Sequence, residues 1–255
     1  MPGPPRRDSG TKTASPNFGF VAVGNLFLRH LRAQDLELLK PELRRIDLAV
    51  NDRIADEGAE VQTALLPIDC IISVITVMRD GRTVESRTIG RESGFGLLHA
   101  LGSPYAFERV VVQISGVSWA VPVPALSRLA LASPHALKAI AQFAQSSLVQ
   151  STVALACNAL HDVESRLCRW LLMTQDRLES DVLPLTQEHL STMLAVQRTT
   201  VNAAARRLQD RGAVRYSRGR IKILNRDTLL RCSCECYEQI EESARRLIGE
   251  GQLSN

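Results

Sequence analysis

The sequence lacks any apolar run near the roughly 18 residues that a membrane-spanning helix needs, which speaks against a helical membrane protein. Its six cysteines are few and irregularly spaced for 255 residues, so there is no secreted disulfide framework, and the chain reads as cytoplasmic, in a reducing compartment. It also lacks an internal repeat, a G-x-S-x-G motif and a phosphate-binding glycine loop. His30, His99, His135, His161 and His189 stand apart, with no Cys/His or Ser/His/Asp constellation, and Glu241-Glu242 reads as a solvated tail helix. An enzyme is therefore a remote alternative. The apolar stretch 18–28 follows Arg6, Arg7 and Lys12 and imitates a secretory signal. No small-residue cleavage site follows it, and it runs directly into an amphipathic pattern.

What is present suits an ordinary globular core divided between two domains, with 45% hydrophobic and 23% charged residues. The net charge of +4 hides an asymmetry. Residues 197–226 hold Arg198, Arg206, Arg207, Arg211, Arg215, Arg218, Arg220, Lys222 and Arg226 against Asp210 alone, while the rest of the chain carries 22 basic and 26 acidic side chains. One concentrated basic element on a mildly acidic body points to a polyanion such as nucleic acid.

Residues 1–17, with Pro2, Pro4, Pro5 and Pro16 and no periodic apolar positions, predict a disordered lead-in. From Leu26 the apolar residues Leu28, Leu31, Leu36, Leu39 and Leu43 predict one or two short helices, with Asp35 able to cap the second and Pro41 near its end. Short β-branched runs over 46–50, 70–78, 83–89 and 110–121, with Asp80-Gly81 as a hairpin turn, predict an antiparallel barrel or sandwich within a domain spanning 18–132. Pro134 then opens a helix of about 25 residues, taken as 133–158, on which Leu137, Ile140, Ala144, Leu148, Ser151 and Leu155 recur every three or four positions. Its small residues Ala144, Ser147 and Ser151 would let a second copy of the helix approach closely, which predicts a homodimer.

Residues 159–240 read as a winged helix-turn-helix. Thr186 is a good N-cap for a helix carrying Glu188, Leu190, Met193 and Leu194. Ala195-Val196 forms the turn, and a second helix begins at Gln197 or Arg198, burying Val201, Ala204, Ala205 and Leu208 and ending at Gly212. Residues 213–216 and 220–224, joined by Ser217-Arg218-Gly219, form a β-hairpin wing. The apolar spacing turns Arg198, Thr199, Asn202 and Arg206 outward, where they could enter a major groove. Residues 241–255 are left as a tail.

This order of elements, with 185–190 reading Leu-Thr-Gln-Glu-His-Leu and 197–201 reading Gln-Arg-Thr-Thr-Val, resembles the CRP/FNR superfamily of bacterial transcription regulators over about residues 22–240. The resemblance implies an α+β protein: an N-terminal antiparallel β jelly-roll of the cyclic-nucleotide-binding type, a long dimerisation helix and a C-terminal winged helix-turn-helix. It implies a homodimer on palindromic double-stranded DNA, with RNA polymerase as a further partner and no membrane. Arg198 matches the leading arginine of the family's recognition helix, and its planar fork suits guanine O6 and N7. Thr199 stands where many members have glutamate, and Ala203 where many have a second arginine, so Gln197, Thr199, Thr200 and Asn202 would read a different site. Thr186, Gln187, Arg218 and Arg220 are candidates for phosphate contacts. Ala195 occupies a turn position where glycine is more usual.

In the sensor region the resemblance places 93–97, Ser-Gly-Phe-Gly-Leu, at the family's phosphate-binding turn, followed by Glu108-Arg109-Val110. Gly94, Gly96, Leu97 and Arg109 are the ligand candidates, but the carboxylate for a ribose is missing and Arg109 lacks its hydroxyl neighbour. The expectation is no cofactor and no gating by cyclic AMP. An alternative is a metal- or redox-sensing regulator built on the run Cys232, Cys234, Cys236, whose thiolates could bind zinc, copper(I) or a cluster. Cys157 and Cys168 read as small buried hydrophobes on helix faces.

Overall fold

The computed structural model describes residues 24–217 and 219–249, so the expected lead-in over 1–17 and Arg218 of the wing turn lie outside the described residues. The chain runs through α1 (Leu26–His30), α2 (Ala33–Leu39), β1 (Arg44–Leu48), β2 (Arg53–Ala55), β3 (Thr63–Pro67), β4 (Ile71–Val77), β5 (Thr83–Ile89), β6 (Arg109–Ile114) and β7 (Gly116–Pro122). Helices α3 (Val123–Ala132), α4 (Pro134–Leu160) and α5 (Val163–Leu178) follow. The last part comprises β8 (Val182–Leu183), α6 (Gln187–Leu194), α7 (Arg198–Asp210), β9 (Val214–Ser217), β10 (Arg220–Ile223), α8 (Arg226–Cys232) and α9 (Cys236–Ile248).

The N-terminal half is two antiparallel sheets, ordered β1-β7-β3 and β2-β6-β4-β5. Leu66, Ile72, Val74, Ile89, Val110 and Val121 belong to the core they enclose. The α+β reading with an antiparallel N-terminal domain, a long helix and a C-terminal winged helix-turn-helix holds. The β4–β5 hairpin turns at Asp80-Gly81 as expected: Met78 N donates to Arg82 O at 2.8 Å, and Gly81 takes φ +85°.

Two strands escape the sequence pattern. β2 has only three residues, and β3 reads Thr-Ala-Leu-Leu-Pro, a run with little β-branching that ends on proline. The single run expected over 110–121 is two strands in different sheets, breaking at Ser115 just before Gly116. A Cβ there would stand 2.5 Å from Asp69 Oδ1 and 2.8 Å from the Asp69 carbonyl, so the corner closes only on glycine. Asp35 is not the cap of α2. Arg32 holds that position without a side-chain bond, and Asp35 is buried in the first turn.

Ser133 caps α4 by accepting from Ala136 N at 3.2 Å, and Pro134 sits at its first turn, where no N–H is needed. The helix has 27 residues, about 40 Å at 1.5 Å per residue. Ala136, Ala139, Ile140 and Phe143 bury its first half in the sandwich core. The face expected to meet a second copy is therefore split: Ile140 is buried within the chain, Ala144 and Ser147 line a cleft under the 93–97 turn, and Leu148 and Leu155 stand exposed.

α5 is an element that sequence reasoning did not separate. Its Leu167, Cys168, Trp170, Leu171 and Leu172 enter a second core with α6, α7 and the wing, and Ile71 and Ile114 of the sandwich join them. The two halves thus share packing. α9 also crosses the expected boundary at 240, because its apolar residues return along α4: Gln142 Nε2 donates to Leu247 O at 2.6 Å, and Ile248 joins the first core. Glu241 is half-buried rather than solvated, and burial, with Asp176 beside it, pushes its carboxyl above the ordinary range.

Candidate nucleic-acid interface

Thr186 caps α6 as expected, its hydroxyl accepting from His189 N at 3.2 Å. α6 ends on Ala195 at φ 51°, the left-handed region, where Ala195 N and Val196 N close the turn onto Thr192 and Ser191 carbonyls. An L-residue with a Cβ is strained there and glycine is not. Ala195→Gly is accordingly expected to raise stability by about 0.5 kcal/mol, the relief of strain exceeding the added chain entropy. A chemical-denaturation midpoint no higher than that of the parent would contradict it.

The second helix, α7, buries Val201, Ala204 and Leu208 and leaves Gln197, Arg198, Thr199, Thr200, Asn202 and Arg206 exposed. At 3.6 residues per turn Thr199, Asn202, Ala203 and Arg206 share the outward face, and Arg198 stands at its N-terminal flank. Gln197 is the N-cap but makes no side-chain cap bond, so the first N–H groups of α7 are open to an anion. Arg198 Nη2 lies 3.1 Å from Glu188 Oε1, with 62% and 70% of the two side chains exposed. Such a pair contributes little and can exchange for a base or phosphate.

The arginine cluster is not uniform. Glu164, at the first turn of α5 and mostly buried, pairs with both Arg207 and Arg211, and Arg226 pairs with Asp176 at 2.9 Å. These three cations brace the domain. Arg206, Arg215, Arg220 and Lys222 are exposed and have no ion pair among the described residues. Arg215 and Lys222, opposite each other in the wing ladder, belong to this surface; the sequence counted them in its basic run but did not name them as DNA contacts.

The wing is a three-stranded sheet, β8-β10-β9, because Val182-Leu183 adds a strand that is too short to carry a sequence pattern. Gly219 takes φ +75° in the wing turn, and a Cβ on it would lie 3.6 Å from Thr186 Cγ2. The structure therefore brings Thr186 and the start of α6 beside the wing turn, with Arg220 leading away from it.

Residues 165–232 match the family of Crp-like helix-turn-helix domains. These residues form a Crp-like helix-turn-helix domain. No curated protein matches the chain. Among solved structures, FixK2 from Bradyrhizobium japonicum matches with a TM-score of 0.66 at 16% identity, over 75% of this chain and 98% of that one. The c-di-GMP responsive global regulator CLP of Xanthomonas campestris matches at 0.62 and 17% identity, over 76% and 100%. A CRP-family transcriptional regulator from Thermus thermophilus matches at 0.60 and 19% identity, over 74% and 96%. The chain thus has the fold of the CRP/FNR transcription regulators, and no described helix is long and apolar enough to cross a membrane.

In the domain preceding the Crp-like one, Gly94, Gly96 and Leu97 lie together in the turn after β5, where Phe95 exchanges two backbone hydrogen bonds of 2.9 Å with Leu65. Gly96 takes φ +89° with the Ala64 backbone beneath it, an approach that no side chain permits. A narrow cleft separates this turn from Phe143, Ala144 and Ser147 of α4, and its cation is Arg87, held by Glu108 at 3.3 Å. Arg109 is not part of that cleft. Its Nε donates to Asp56 Oδ1 at 2.9 Å, and this bond holds the Asp56 carboxyl below its usual range.

The three cysteines of the C-x-C-x-C run part company at the end of the Crp-like domain. Cys232 Sγ accepts from Arg211 Nη1 at 3.0 Å, whereas Cys234 and Cys236 turn toward the end of α4. Cys157 Sγ lies 3.5 Å from Cys234 Sγ, and His161 Nδ1 lies 3.5 Å from Cys236 Sγ. A hydrogen bond from Cys234 draws the Cys157 thiol down to about 5 against its burial, and the same bond together with burial pushes Cys234 up. Cys157 is buried as expected but packs against Cys234 and Cys236, and the run is not one site, because Cys232 faces Arg211 instead. The available sequence signal was the Cys-x3-His spacing of Cys157 and His161, visible only as two unrelated residues until a second chain segment supplied partners.

Proposed function

We propose that this protein is a cytoplasmic transcription regulator that binds a two-fold-symmetric DNA operator as a homodimer, without gating by cyclic AMP, and acts on RNA polymerase. The observation that carries the reading is the outward face of α7: Thr199, Asn202 and Arg206, flanked by Arg198 and an open helix N-terminus, beside wing cations that have no ion pair among the described residues. Base edges in a major groove accept such a face, and phosphates accept the wing. Dimerisation is supported by exposed Leu148 and Leu155 on a helix long enough to space two recognition helices. Independence of cyclic AMP is supported by the 93–97 turn, which has no ribose carboxylate, and by Arg109 being engaged with Asp56.

The test is selection of bound sequences from random duplex DNA by reduced protein with no added ligand, for which a palindromic consensus is expected. On that consensus Arg198→Ala should cost about 1–3 kcal/mol and relax the base preference at one position, while Arg220→Ala should weaken consensus and random DNA alike and reduce the salt dependence. Failure to enrich any sequence would overturn the reading. Equal losses on both DNAs for both variants would overturn the division of roles.

A further inference from the structure

We propose that Cys157, His161, Cys234 and Cys236 form a site for a single zinc ion that joins the end of α4 to the turn between α8 and α9. The four ligand atoms all lie within 4.8 Å of one another, and three of the four residues are buried. In a tetrahedral zinc site, with Zn–S near 2.3 Å and Zn–N near 2.0 Å, ligand atoms stand about 3.5–3.8 Å apart. The 3.5 Å separations of Cys157 Sγ from Cys234 Sγ and of Cys236 Sγ from His161 Nδ1 are edges of that size. A polynuclear iron–sulfur cluster would need its ligands held apart by its own width, so the spacing selects one ion, and three thiolates with one imidazole select zinc among the divalent metals.

Two features outside the four ligands fit an ion there. With Nδ1 turned to the cluster, His161 points its other nitrogen at Glu235, Nε2 to Oε2 being 3.3 Å. A carboxylate on the far ring nitrogen fixes the tautomer that leaves Nδ1 free to ligate. Arg169 of α5 is buried, its one hydrogen bond is to the Met173 sulfur at 3.4 Å, and its Nε has no partner among the described residues. A buried guanidinium without a carboxylate calls for another counter-charge. A zinc tris-thiolate centre carries a net charge of −1 that would supply it. Each thiol still protonated releases its proton to solvent on binding, and no oxidant is involved.

The closing experiment uses full-length protein purified under reducing conditions. Elemental analysis should find about one zinc per chain, and cobalt(II) added to the chelator-treated protein should give the visible bands of a tetrahedral ion with thiolate-to-cobalt charge transfer. Cys232→Ser should bind as the parent does, whereas Cys234→Ser should lose the charge transfer or weaken binding at least tenfold. Glu235→Gln alters only an exposed side chain, so it tests the site without threatening the fold, and should weaken cobalt binding about tenfold. Absence of metal with a Cys157–Cys234 disulfide by mass spectrometry would overturn the proposal. So would equal metal loss from Cys232→Ser and Cys234→Ser, or cobalt bound without thiolate charge transfer.

Discussion

Replacing Leu148 and Leu155 together by glutamate is expected to turn the proposed dimer into a monomer in sedimentation at micromolar concentration and to weaken binding to the proposed operator at least a hundredfold. The two leucines are 67% and 72% exposed, and Leu160 near the end of the same helix is 78% exposed. Ala141, Gln145, Leu148, Thr152, Leu155 and Ala159 are all exposed and recur at alternating intervals of four and three, the seam spacing of two helices in a coiled coil. Burying a leucine is worth about 1.5–3 kcal/mol, so four leucines in a symmetric pair offer about 6–12 kcal/mol, enough to exceed the cost of association once the flanking area is added. Four glutamates would replace that gain with like-charge repulsion. Operator affinity falls because the second half-site contact ceases to be intramolecular, an advantage of about 10²–10⁴. A double variant that sediments as a dimer would place the interface elsewhere.

This seam also shows where sequence reading stops. Periodicity located α4 and its apolar positions, yet Ile140 and Leu148, both on the expected stripe, have opposite fates: one lies in the sandwich core and the other in solvent. Which apolar residue is claimed from within the chain depends on α9, whose return along α4 no local pattern announces. The helix-turn-helix was legible because its signals are local: a Thr186 cap, a tight turn, and the burial of Val201, Ala204 and Leu208 at helical spacing. Charge counting was coarser than geometry, since Arg207 and Arg211 belong to Glu164 on α5, more than forty residues away. The proposed metal-ligating group was the least legible part. Its halves are 77 residues apart at Cys157 and Cys234, and the local run suggested Cys232, which the fold directs elsewhere.

Removing the Glu85 carboxylate is expected to loosen the sandwich from the Crp-like domain. Glu85 lies buried on β5 and accepts from Ser73 Oγ, from Gln113 Nε2 at 2.8 Å and from Trp170 Nε1 of α5 at 3.3 Å. Ser73, Gln113 and Trp170 are themselves buried, so Glu85→Ala leaves donors that water cannot reach, at a cost of about 3 kcal/mol in unfolding free energy. Burial, the largest influence, pushes the Glu85 carboxyl above its ordinary range, and the three donors only partly offset it. A carboxyl raised in the folded state holds its proton better there than in the unfolded chain. Its contribution is fully present below the ordinary glutamate range and is lost as pH rises through the raised folded value. Glu85→Gln cannot ionise, so the stability of the parent relative to this variant should decline as pH rises from about 4.5 toward neutrality, while limited proteolysis of Glu85→Ala should cut between β7 and α5 faster than in the parent. A parent-minus-Gln difference that stays flat with pH, or grows in favour of the parent, would show that Glu85 is already ionised without penalty. The network would then be held by its charge rather than despite it.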